Sequence, residues 1–182
     1  MKESSFSQEF LMQRCLQLAE NGRLLSMPNP SVGALIVYQY RIIGEGHTSE
    51  YGGPHAEVNA FRSIEENDLP LLPFSTLYVI LEPCSHFGKT PPCVDLIIKN
   101  KIKKVVIGTR DSHHLVGGNG IQKLQDAGIE TIVGVLEKEC QWSLRKFLVP
   151  IEKQRPYITL KWAESSNGKV ADNNGQTVKI TS

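Results

Sequence analysis

Four residues have the types and the spacing to do chemistry together: His55, Glu57, Cys84 and Cys93. One imidazole and two thiolates are good Zn²⁺ ligands, and three protein ligands leave the fourth tetrahedral position open. An open position marks a catalytic metal rather than a structural one, because the ion lowers the pKa of a bound water from ~15.7 to about 7. A carboxylate two residues beyond the histidine can reach such a water without ligating the ion. Each cysteine follows a proline, Pro83 or Pro92, at an expected strand end or helix start. Helix N-termini help hold thiolates. Taken singly, His55 reads as a polar loop residue and each cysteine as a buried thiol. Taken together, the metal site is the stronger reading. Cys15 and Cys140 fall on helical patterns among Leu, Phe and Trp and read as core.

These residues need elements to hold them. His55-Ala-Glu opens a helix over about 56–64, after a Gly-Gly-Pro loop at 52–54. Cys84 follows an apolar strand at Thr76–Leu81, and Pro92 opens a helix reaching Asn100. Both ends can meet above one edge of a parallel sheet, where open α/β sheets place their ligands. Upstream, the spacing predicts a helix over about 6–20, with Ser4, Ser5 and Ser7 as candidate caps and Asn21-Gly22 as its stop. The prolines at 28 and 30 force a turn, and Val32–Val37 with Arg41–Glu45 reads as a hairpin. Downstream come a strand at Lys104–Gly108, a helix at Gly120–Ala127, a strand at Ile129–Val135 and a helix at Glu137–Phe147. Alternation of this kind implies parallel crossover units. We expect a three-layer α/β/α sandwich, a mixed sheet of about five strands with helices on both faces, filling residues 1–150. Beyond Pro150, Gln154–Ala163 starts a strand, Ser165-Ser-Asn-Gly168 a turn and Thr177–Ile180 a second strand. Two strands lack a core of their own, so residues 151–182 read as a linker and the opening of another domain.

Composition narrows the function classes. The 182 residues, 40% hydrophobic and 21% charged, suit one domain with a real core plus a fragment. No apolar run approaches the ~18–20 residues of a membrane helix. The start, Met1-Lys-Glu-Ser-Ser-Phe, has no following apolar stretch, so no secretory signal is expected. Four scattered cysteines do not make a disulfide scaffold, and a reducing, cytoplasmic setting follows. Twenty basic against nineteen acidic residues argue against a nucleic-acid partner. Lys99, Lys101, Lys103 and Lys104 then read as a solvated helix end rather than a phosphate track. Gly117-Gly-Asn-Gly120 lacks dinucleotide-loop spacing and reads as a turn opening a helix.

Three runs carry a resemblance. Pro28-Asn-Pro-Ser-Val-Gly33, His55-Ala-Glu-Val-Asn59 and Leu81-Glu-Pro-Cys-Ser-His-Phe-Gly-Lys-Thr-Pro-Pro-Cys93 resemble the deaminase half of the riboflavin-biosynthesis bifunctional deaminase/reductases. That family lies in the cytidine-deaminase-like superfamily. His-x-Glu with Pro-Cys-x-x-Cys is the general signature of zinc deaminases. The specific part is the spacing, because eight residues separate the cysteines here against about two in that signature. The resemblance covers about residues 6–150, and the stretch from Arg155-Pro-Tyr to Gly168-Lys-Val-Ala171 resembles the start of the family's NADPH-dependent reductase. Most of that reductase lies outside this sequence, so no reductase activity is expected of it.

The resemblance implies hydrolytic loss of the 2-amino group of 2,5-diamino-6-(5-phosphoribosylamino)pyrimidin-4(3H)-one as ammonia. It further implies one zinc per chain on His55, Cys84 and Cys93, with Glu57 shuttling the proton. Asn29 would face the pyrimidine or ribose, and His86 and Lys89 the phosphate. Asp111 is kept from the family's Asp-Pro-Asn-Pro run, where His113 replaces the usual Asn. A histidine common seven residues before the zinc ligand is Thr48 here, with His47 one position earlier. Two alternatives stand beside this: a zinc deaminase of another base, such as cytidine, deoxycytidylate or tRNA adenosine, or a noncatalytic zinc module with His86 or Glu57 as fourth ligand. Edges of the stranded tail lead us to expect a homo-oligomer.

Overall fold

A computed structural model describes residues 7–88, 91–112, 118–166, 168–172 and 174–176. Helix α1 (Gln8–Gly22) starts at Ser7, whose Oγ accepts from Phe10 N at 3.2 Å. Strands β1 (Gly33–Tyr38) and β2 (Arg41–His47) form the antiparallel hairpin, with Tyr38 opposite Arg41 across a two-residue turn. The other strands are β3 (Thr76–Leu81), β4 (Lys104–Thr109) and β5 (Glu130–Val133). Sheet order is β2-β1-β3-β4-β5, with β1 antiparallel to both neighbours and β3, β4 and β5 parallel. This is the expected mixed five-stranded sheet. Strands β1, β3 and β4 are buried along nearly their whole length, which explains why they read as continuous apolar runs rather than alternating ones.

Helices cover both faces. On one side α1 packs on β1 and β3, beside α5 (Glu137–Ser143), which packs on β4. On the other lie α2 (Ala56–Arg62) against β1 and β2, α3 (Cys93–Lys99) beside it, and α4 (Asn119–Asp126) against β5. Helix α2 comes unusually close to its strand: a Cβ at Gly46 would collide with Ala60 N and Ala56 O. Cys15 and Cys140 are fully buried in the core, as expected. Lys104 pairs with Glu130 across β4 and β5 at 2.8 Å, while Lys99, Lys101 and Lys103 are exposed around the turn before β4.

Three details depart from the sequence reading. A 3-10 segment at Glu66–Phe74, containing Pro70 and Pro73, fills the crossover between α2 and β3. The expected helix over 137–147 is two helices, α5 and α6 (Arg145–Lys153), and α6 runs through Pro150. Residues 154–163 do not form a strand: they find no ladder partner among the described residues, and Ile158, Leu160 and Trp162 stay exposed. The Ser165–Gly168 turn is present, closed by Gly168 N donating to Ser165 O at 2.8 Å. Thr177–Ile180 lies outside the described residues. The strand-edge ground for self-association is thus lacking in the described tail. Among the described residues no helix is long and apolar enough to cross a membrane.

Candidate metal centre and pocket

Sheet topology brings three segments to one edge. β3 is the switch strand, antiparallel to β1 on one side and parallel to β4 on the other, so the loop leaving its C-terminal end lies beside the starts of α2 and α3. That loop carries Cys84, His55 caps α2, and Cys93 is the first residue of α3. Their ligand atoms all lie within 4.8 Å of one another. His55 Nδ1 sits 3.5 Å from Cys84 Sγ and 3.3 Å from Cys93 Sγ. A tetrahedral zinc, with Zn–N about 2.0 Å and Zn–S about 2.3 Å, needs these atoms about 3.5 Å apart. Donor types and spacing both fit.

Backbone donors at the start of α3 add to this. Cys93 N donates to Cys84 Sγ at 3.3 Å, and Val94 N to Cys84 O at 3.2 Å. The donors also share their protons. Hydrogen bonds from the Cys93 thiol and from His55 hold the Cys84 thiol below the usual range. Cys93, facing the Cys84 sulfur in a buried place, is pushed up. His55 is raised, chiefly by its bond to Cys84. A sulfur that ionises readily is what metal ligation requires.

Glu57 is buried in the first turn of α2 with 4% exposure. Burial first, and the neighbouring Cys84 second, push its carboxyl up to about 7. A carboxyl balanced near neutrality can both take up and give back a proton. The structure brings His55, Cys84 and Cys93 together and buries Glu57 in the same helix start as His55, each of the four being tied to the start of a helix or the end of a strand.

Beside them opens a pocket of about 300 Å³. Asn29, His86 and Asp111, expected to contact substrate, lie on its wall together with His55, Glu57 and Cys84. Lys89 and His113 lie outside the described residues. Thr48 lines the pocket, its Oγ1 accepting from Val32 N at 2.9 Å, while His47 packs beside Gly22. Of these two positions, Thr48 is the one on the pocket wall. Asn59, two residues after Glu57, locks the entry to α2 by donating to His47 O at 2.7 Å and Ser49 Oγ at 2.9 Å.

Sequence reasoning assigned no role to Tyr51, Glu82 or Phe147, yet all three form part of the wall. Phe147 arrives from α6, and Ser112 next to Asp111 donates to Glu152 of the same helix. Glu82 belongs to the Leu81-Glu-Pro-Cys84 run, and an acid two residues before a cysteine with ligand spacing is the signal that could have found it.

Comparison with known proteins follows the same line. Residues 5–109 match the model of the cytidine and deoxycytidylate deaminase zinc-binding region. The riboflavin biosynthesis protein RibD of Aquifex aeolicus is 46% identical over 171 residues, spanning 94% of this chain and 47% of that protein. A crystal structure of a diaminohydroxyphosphoribosylaminopyrimidine deaminase/5-amino-6-(5-phosphoribosylamino)uracil reductase from Thermotoga maritima matches with a TM-score of 0.89 at 47% identity, covering 96% of this chain and 50% of that one. RibD of Acinetobacter baumannii matches with a TM-score of 0.86 at 39% identity, covering 94% of this chain and 48% of that one. The chain spans about half the length of the curated relatives it matches.

Proposed function

Because this chain belongs to the cytidine and deoxycytidylate deaminase zinc-binding family, we propose that it removes the 2-amino group of 2,5-diamino-6-(5-phosphoribosylamino)pyrimidin-4(3H)-one by hydrolysis. The products are 5-amino-6-(5-phosphoribosylamino)uracil and ammonia, a step of riboflavin biosynthesis. The observation that carries this is the meeting of His55, Cys84 and Cys93 near a buried Glu57, with His55, Glu57 and Cys84 lining one pocket. The choice of base rests on the relatives' names and on the eight residues between the cysteines, which put His86 on the pocket wall.

His55 Nδ1 and the two sulfurs would hold zinc. When bound there, the ion supplies a water acidic enough to be ionised near neutral pH. Glu57 accepts one proton from that water and delivers it to the ring nitrogen, then takes the proton left on the added oxygen and gives it to the amine, which departs as ammonia as the carbonyl forms. Its burial keeps bulk water from competing for the proton. Asn29 and Asp111 orient the pyrimidine and ribose, and His86, with Lys89 from the same loop, meets the phosphate as a hydrogen-bond donor and a point charge. His113 completes the ribose side.

We read residues 1–150 as the deaminase unit and 151–182 as the link into a second unit, where NADPH would serve a reductase. The test measures zinc and ammonia together. Glu57→Gln should keep about one zinc per chain while ammonia release falls by at least ~100-fold. Undiminished turnover in that variant rejects the proton shuttle. Ammonia from cytidine or deoxycytidylate but none from the diaminopyrimidine ribotide rejects the substrate.

A further inference from the structure

Glu82 lies between the end of β3 and Cys84, is 4% exposed, and pairs with no cation among the described residues. Among the described residues its charge is met by backbone donors. Oε2 accepts from Asp111 N at 3.3 Å and Gly118 N at 3.0 Å, while Oε1 accepts from Gly120 N at 3.0 Å and Ile121 N at 3.2 Å. Two donors on each oxygen use the full acceptor capacity of a carboxylate. A buried carboxylate deprived of such donors is costly, so this arrangement holds its partners firmly.

Those partners come from two places: Asp111, just beyond β4, and the first turn of α4. Gly120 permits the approach, since a Cβ there would collide with Pro83 O. Lys123 of α4 adds a second tie by donating to Ser85 O at 3.0 Å. One carboxylate, two residues from a metal-ligating cysteine, thus gathers the start of α4 and a pocket-wall residue.

We propose that Glu82 is a positioning residue: it fixes Asp111 and the N-terminus of α4 against the metal-bearing loop, and so sets one wall of the substrate pocket before substrate arrives. What the pocket holds rests on the deaminase reading; the clamp itself does not. Glu82 acts through the backbone amides, leaving the chemistry to Glu57.

The experiment uses the whole chain, loaded with zinc, and the variant Glu82→Gln. Glutamine keeps the shape but turns one acceptor into an NH₂ donor that faces backbone donors. KM for the diaminopyrimidine ribotide should rise about tenfold with kcat within about threefold and zinc unchanged, the signature of lost ground-state positioning. Amide exchange at Asp111, Gly118, Gly120 and Ile121 should quicken, while Val94 and β3 stay protected. Glu82→Asp, which keeps the charge, should fall between the two proteins. An unchanged KM, loss of zinc, or unaltered exchange at those four amides overturns the proposal. If the chain releases no ammonia from any pyrimidine, the deaminase reading fails, and the exchange comparison still decides the clamp. If Glu82→Gln does not fold, Gly120→Ala displaces the same turn with the carboxylate intact; a normal KM in that variant overturns the proposal, and a raised one supports it.

Discussion

Cys93 N donates to Cys84 Sγ at 3.3 Å, so the residue that opens α3 supports the charge of the sulfur with which it would share a metal. The cluster is therefore part of how α3 docks, as well as a place for an ion. Bound zinc should stabilise the fold by mass action, about 2.7 kcal/mol at a hundredfold excess over its dissociation constant. For a chain of this size that corresponds to about 5–10 °C in melting temperature. Chelation should lower the melting temperature of the wild type by this amount and leave Cys84→Ser unmoved. A chelator-induced drop of equal size in both proteins would show that the stabilising ion sits elsewhere.

Gly46 couples the sheet to the site. Helix α2 lies on β2 so closely that a side chain at Gly46 would strike Ala60 N and Ala56 O, and α2 carries Glu57 with His55 at its cap. Gly46→Ala should lower stability by about 1–3 kcal/mol through overpacking. It should also weaken zinc retention, because His55 moves with the helix. Denaturant melts and zinc content, measured on one preparation, check both effects. Lost stability with wild-type zinc affinity would mean that the loop before α2 positions His55 without help from the sheet.

A bidentate pair anchors the far end of the hairpin, with Arg41 Nη1 and Nη2 at 2.6 and 2.7 Å from the Asp68 carboxylate. Those hydrogen bonds hold Asp68 below the usual carboxylate range. A carboxyl depressed in the folded state contributes stability above its unfolded pKa, about 3.9, and loses it as pH falls through the folded value. Asp68→Asn should therefore be less stable than wild type at pH 7, with the gap closing below about pH 4. Urea midpoints at pH 7 and pH 3 read this directly. A gap of constant size at both pH values would leave the pair without an electrostatic role.

The parts of the site that could be read from the sequence are those with local anchors. His55 and Glu57 sit at a helix start, Cys84 after a strand and Cys93 at another helix start, so each carries its own short pattern. The parts that could not be read depend on distant backbone. Glu82 meets amides 29 to 39 residues away, and backbone groups leave no trace in side-chain identity. Phe147 reaches the pocket only because α6 starts anew at Arg145, and the apolar spacing over 137–147 does not reveal a break at Leu144. The tail misled for the opposite reason. Ile158, Leu160 and Trp162 alternate as a strand would, but alternation supplies a face, and a strand also needs a neighbour to bond with.

Asn29 separates a turn former from a substrate contact. Its backbone is already held, its N donating to Ser26 O at 2.9 Å and its O accepting from Ser26 Oγ at 3.3 Å. Asn29 lines the pocket, and its side-chain amide makes no hydrogen bond among the described residues. The turn therefore does not need the amide, whereas a pyrimidine or ribose can use both its donor and its acceptor. Asn29→Ala should leave the melting temperature within about 2 °C and raise KM for the diaminopyrimidine ribotide about tenfold, the value of one hydrogen bond worth ~1.4 kcal/mol. Steady-state kinetics beside a thermal melt distinguish the two roles. A fall in stability with KM unchanged would make Asn29 a turn residue and nothing more.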